Sequence, residues 1–157
     1  MARNPRVVSS FSAQPGQACQ GLKSLEPLTH YQLFVDEGCR VVLARRSTVP
    51  FATVSEIVDC FDQAARALEG IHRADYGLLV DVRGGPGRND PAFETTSAQH
   101  RGKLLYGFAK NAALVATAAG RLQIQRYTKD DGREGCVTDD PRQAFAYLGV
   151  GYHPLVY

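Results

Sequence analysis

A mixed α/β fold is predicted for this chain by three observations: a β-hairpin pattern near residue 31, two nearly unbroken apolar runs of strand length, and amphipathic helical segments between them. The hairpin comes first. Residues 31–35 read Tyr-Gln-Leu-Phe-Val and residues 39–44 read Cys-Arg-Val-Val-Leu-Ala, both short and rich in β-branched or aromatic side chains. Asp36-Glu-Gly38 between them predicts a tight turn, with Gly38 supplying a positive φ.

Thr53 followed by Glu56 is a capping box, which satisfies the free amides of a helix start. Val54, Ile57, Val58, Phe61, Ala65 and Leu68 follow at helical spacing, and Gly70 is the expected stop. Residues 76–82 form an apolar run broken only by Asp81, the mark of a central strand covered on both faces. Gly84-Gly-Pro-Gly-Arg-Asn-Asp90 then leads into a helix, with Asp90 as N-cap and Pro91 as its first residue. Phe93, Leu104, Leu105 and Phe108 supply that helix with its apolar stripe. Residues 112–117 read as a second buried strand, and a short helix is expected from Gly120 through Tyr127. Leu122, Ile124 and Tyr127 do not share one helical face, so an exposed apolar side chain is expected there. Residues 136–138 form a last edge strand, and Asp140-Pro141 opens a closing helix that buries Ala144, Phe145 and Leu148. The order β-β-α-β-α-β-α-β-α predicts a mixed sheet whose hairpin is followed by β-α repeats with right-handed crossovers and about four helices.

A chain of 157 residues suits one domain. Its 44% hydrophobic and 22% charged content is that of a globular protein and argues against disorder along its length. The net charge of +2 is near balance, so nucleic acid is not an expected partner. Arg45-Arg46 and the arginines of the third helix read as solvated surface offset by 16 acidic residues. No apolar run reaches the roughly 18 residues of a membrane span, so no stable membrane insertion is expected. The N-terminal arginines lack a following apolar region, which argues against a secretory signal. Cys19, Cys39, Cys60 and Cys136 are widely spaced, form no C-x-x-C pair, and read as reduced thiols of a cytoplasmic protein with no bound metal. Residues 1–27 hold Pro5, Pro15 and Pro27 with no persistent period, which predicts a flexible tail with at most one short ordered piece. The compact domain is expected over residues 28–150, with a C-terminal tail at 151–157.

The element order, the strand Leu78-Leu-Val-Asp-Val-Arg83 feeding a helix, the strand at 112–117 and the closing Phe145-Ala-Tyr-Leu148 together resemble the STAS domains of anti-sigma-factor antagonists, most closely the SpoIIAA-like group. The resemblance covers residues 31–149 and implies a non-catalytic regulatory module that docks onto another protein, without a cofactor. Phosphoregulated members of that family carry a serine or threonine where the helix after the central strand begins. Here that stretch is Gly87-Arg-Asn-Asp-Pro-Ala-Phe93, with no hydroxyl, and Thr95, Thr96 and Ser97 lie too far along the helix to match it. Asp90 either supplies a permanent negative charge at that helix start or simply caps the helix.

The candidate site is the loop after the central strand, where open α/β sheets bind ligands. Gly85 and Gly87 allow close backbone approach; Arg83, Arg88 and Arg121 surround two helix starts; Asn89 and Asp90 complete the surface toward a protein or an anion. The loop matches neither the Walker A nor the dinucleotide glycine pattern. His30, His72, His100 and His153 form no metal-ligand spacing and no recognisable triad, and no nucleophile elbow is present, so catalysis is not expected. The leading reading is therefore a protein-interaction module with a possible homodimer through the hairpin edge, unless the N-terminal tail covers that edge. The alternative is a carrier or sensor of an anionic or lipid-like small molecule. A deep pocket bounded by Phe93, Leu104 and Phe108 distinguishes the second from the first, for which a flat, closed surface is expected.

Overall fold

The computed structural model describes residues 19–151; the expectations for residues 1–18 and 152–157, His153 included, lie outside the described residues. Six strands pair in sequence order: β1 (Lys23–Ser24), β2 (Tyr31–Asp36), β3 (Val41–Arg46), β4 (Gly77–Asp81), β5 (Lys110–Leu114) and β6 (Cys136–Thr138). The first three pair antiparallel, and β3 through β6 run parallel. The hairpin and the mixed α/β architecture predicted from periodicity are therefore present. The left-handed residue of the hairpin turn is Arg40 (φ 54°), not Gly38. Asp36 is the reason: its carboxylate accepts from the Gly38 and Cys39 amides, so the chain curls tightly at Asp36 and the left-handed step falls later.

β1 pairs Lys23 with Val35 and Ser24 with Phe34, so the segment before residue 27 supplies a short strand that covers the outer edge of β2. Asp36 anchors it too, accepting from the Gln20 and Gly21 amides at 3.0 and 2.9 Å.

The helices are α1 (Val54–Ala67), α2 (Pro91–His100), α3 (Gly102–Leu105), α4 (Ala118–Asp130) and α5 (Pro141–Leu148). The Thr53–Glu56 capping box opens α1, whose Ile57, Cys60, Phe61 and Ala64 are buried. The expected single helix with Phe93 and Phe108 on one stripe is two: α2 and a one-turn α3, with Phe108 beyond both in the approach to β5. α4 starts at Ala118 under the Thr117 cap and runs to Asp130, longer at both ends than the apolar positions alone suggested. The added residues are Ala118-Ala119 at one end and the polar Thr128-Lys129-Asp130 at the other, neither of which extends an apolar stripe.

β4 is buried along its whole length between β3 and β5. Strand alternation sends Leu78 and Val80 to one core with α1 and Leu104, and Leu79 to the other with α5, Leu43 and Leu114. On the first face stand α1, α2, α3 and α4; α5 closes the second. None of the residues of α4 is buried. That wall of the fold is set apart from the sheet, and the site lies in the space it leaves.

Candidate functional site

A cleft of about 360 Å³ opens on the first face of the sheet, between α2–α3 on one side and α4 on the other. This volume lies in the range of small-molecule sites. Val80, Val82, Ala113 and Val137 contribute from the strands and their ends, Phe93 and Leu104 from one wall, Ile124 and Tyr127 from the other. Phe108 does not line it. The cleft exists because the strand residues beneath it are small while α4, lacking an apolar stripe, does not pack down onto them.

α4 is tied to its neighbours by polar contacts. Gln123 Nε2 donates to the Arg88 carbonyl at 3.2 Å, and Arg126 Nη2 donates to Glu94 at 2.6 Å. Arg101 grips Asp131 with two bonds of 2.6 and 2.5 Å, and Arg133 donates to the same carboxylate at 3.1 Å. Burial opposes ionisation of Asp131, but its two guanidinium partners outweigh this and hold its carboxyl below the usual carboxylate range. The Arg101 guanidinium lies 4.5 Å from the Tyr127 ring. Arg101 Nη1, Arg133 Nε and Asn111 Oδ1 are buried and find no hydrogen-bond partner among the described residues, and all three residues line the cleft.

The residues singled out in the sequence fall into two groups. Arg83, Gly85, Gly87 and Arg88 line the cleft; Asn89, Asp90 and Arg121 do not. Each of the three arginines has a carboxylate partner. Arg83 binds Asp81 through Nε and Nη2, both at 2.9 Å. Arg88 pairs with Asp90 and donates Nη1 to the Phe51 carbonyl at 2.8 Å. Arg121 reaches Asp139 at 3.1 Å on the exposed face of α4. Asp90 caps α2 by accepting from the Phe93 amide at 3.2 Å. Its hydrogen bond from Arg88 holds the carboxyl below its ordinary value, so its charge is spent within the loop. The other helix start is capped as well, by Thr117 Oγ1 accepting from the Gly120 amide at 3.0 Å.

Arg46 is the residue that sequence reasoning missed. Expected as solvated surface, it is 7% exposed. Alternation along β3 puts Val42, Ala44 and Arg46 on the same face, and the ring of Phe51 then covers the guanidinium at 4.4 Å. Nη1 donates to the carbonyls of His30 and Ser47, both at 3.0 Å. Gly85 is a glycine for this side chain's sake: a Cβ there would stand 2.3 Å from Arg46 Cγ. Period-two alternation was the available signal, masked by the adjacent Arg45 and the polar Ser47-Thr48.

Of the remaining histidines, His72 pairs with Asp75 on an exposed turn, His100 contacts Lys103, and His30 stacks on Phe51 at 4.2 Å. Cys19, Asp36 and Cys39 bring their sulfur and oxygen atoms within 4.8 Å of one another. Asp36 already accepts four backbone amides, and burial pushes the Cys39 thiol up, so the cluster reads as a structural clasp between the N-terminal segment and the hairpin.

No protein-family model matches the chain, and no curated protein matches it. Among solved structures it is similar to an uncharacterised DUF3478-family protein from Shewanella loihica, described as having a SpoIIAA-like fold. The two share 14% identity at a TM-score of 0.45, over 82% of this chain and 92% of that one. Among the described residues, no helix is long and apolar enough to cross a membrane.

Proposed function

We propose that this domain holds a small amphipathic molecule in the cleft between its sheet and α4, as a non-catalytic carrier or sensor. The observation that carries the reading is the cleft itself, about 360 Å³ and walled largely by apolar side chains. A flat surface would have favoured a docking module; a cleft bounded by Phe93 and Leu104 favours a ligand. Among the described residues, five arginines line it (Arg46, Arg83, Arg88, Arg101 and Arg133), against one acid, Glu134. Arginine stays protonated, so these groups orient a ligand and do not shuttle protons. The four cysteines carry free thiols, which fits a reducing, cytoplasmic setting.

Titration with N-phenylnaphthylamine, a neutral fluorophore that brightens in apolar sites, tests the reading. Saturable binding to the wild type is expected, with a loss of roughly tenfold or more in Ala113→Phe and little change in Tm. No saturable binding, or binding indifferent to Ala113→Phe, would reject the cleft as the site. The regulatory protein-interaction module remains the second reading, favoured by Leu122, which stands 68% exposed on α4. Its surface would include Arg121, Asn89 and Asp90, outside the cleft.

A further inference from the structure

We propose that Arg46 is the residue that recognises the anionic head of the cleft's ligand, a molecule with one acidic group on an apolar body. This rests on the cleft reading and gives it a ligand class.

Arg46 is a buried residue, and among the described residues its guanidinium has no carboxylate within ion-pair distance. Its hydrogen bonds engage Nη1, which leaves Nε and Nη2 without a protein acceptor among the described residues. The two titratable side chains that face it, Tyr31 and Cys60, offer no counter-charge: burial pushes the phenol up, and the thiol up to about 12, so both are neutral at physiological pH. A charge held away from water without a counter-ion is expensive, and a ligand's acid would complete the pair.

Position and surroundings supply the rest. Arg46 ends β3, at the carboxyl edge of the parallel strands, where ligands of such sheets bind. The glycine loop packs around its stem, with Gly85 so close that any side chain there would displace it. Phe51 and Tyr31 flank the guanidinium, at 4.4 and 5.9 Å. The apolar walls run from this point past Phe93 and Val80 toward Leu104. Arg83 and Arg88, committed to Asp81 and Asp90, frame the head without competing for it. The ligand therefore enters with its acid toward β3 and its apolar body under α4.

Four probes that share one alkyl chain and differ in the head test this on the purified chain by calorimetry: decanoate, monodecyl phosphate, decanol and decyltrimethylammonium. The two anions are expected to bind at least roughly tenfold tighter than decanol, and the cation weaker still. The tighter of the two anions distinguishes a carboxylate from a phosphate head. Arg46→Gln is expected to bring the anions down to the affinity of decanol while leaving decanol unchanged; Arg46→Lys should retain part of the preference. The wild-type series reads head selectivity even if a variant fails to fold. Equal affinities for decanoate and decanol, or a preference that survives Arg46→Gln, would overturn the assignment while leaving the cleft reading intact. Loss of the preference in Arg101→Gln but not in Arg46→Gln would move the head to the opposite end and overturn it too. Binding of none of the four would sink the cleft reading itself.

Discussion

Asp36 does the work of several residues. Fully buried at the end of β2, it accepts four backbone amides, two from the hairpin turn and two from the N-terminal segment. Burial alone would raise its pKa, but the four donors outweigh it and hold the carboxyl at about 2. The folded value lies below the unfolded one, so the stabilisation is fully present above pH ~4 and is lost as the pH falls toward 2; it is worth on the order of 2 kcal/mol. In Asp36→Asn, urea melts at pH 7 should show that loss, and the difference from wild type should shrink by pH 3. A midpoint equal to wild type at pH 7 would contradict the assignment. At this scale the sequence showed a turn at Asp36-Glu-Gly38 but credited it to Gly38, whereas the Asp36 carboxylate forms it. It did not show that Asp36 also pins a segment 15 residues upstream, since that partnership exists only once the segment lies against the edge of β2. Gly85 is similar: a glycine in a loop reads as flexibility, whereas here it makes room for a side chain brought by β3.

Among the elements, α1 and α4 form a contrast. The capping box of α1 was legible, but its buried face is Ile57, Cys60, Phe61, Ala64 and Leu68, and Val54, Val58 and Ala65 of the expected stripe are not buried. α4 has no such stripe, and its ends were misjudged for that reason. What holds it in place is long-range ion pairing, above all Arg101 on Asp131 at the end of the helix, with side chains only 7% and 10% exposed. Removing the central acid leaves two buried guanidiniums facing each other. Asp131→Asn is expected to destabilise the fold by about 3 kcal/mol, more than Arg133→Gln does, as chemical denaturation of the two variants would show. The break between α2 and α3 also belongs to this scale: Arg101 sits at the junction with helical backbone angles and turns its side chain to Asp131.

For the molecule as a whole, the two cores differ in what they anchor. Leu78 and Val80 on one face of β4 and Leu79 on the other tie the sheet to α1 and α5. α4, with none of its residues buried, is secured mainly at its rim. Elements with few buried apolar contacts open at low free energy. Hydrogen exchange followed by mass spectrometry should therefore show α4 amides exchanging well before those of α1 and β4, and slowing when an anionic ligand occupies the cleft. Equal protection of α1 and α4 in the free protein would mean that α4 is not a movable wall.

By itself the sequence determined the mixed α/β fold class and the helix starts at Val54, Pro91 and Pro141, because apolar periodicity and capping act between residues at most a few positions apart. It also placed the glycine loop at the carboxyl edge of the parallel strands, where Gly85 and Gly87 line the cleft. Only the tertiary structure decided which charges are spent and which remain. Arg83, Arg88 and Arg121 looked available and are each paired; Arg46 looked like surface and is buried with no acid partner among the described residues. Whether a charge is solvated, neutralised or left over depends on groups that folding brings from distant parts of the chain, and the balance of burial against pairing has no local signature.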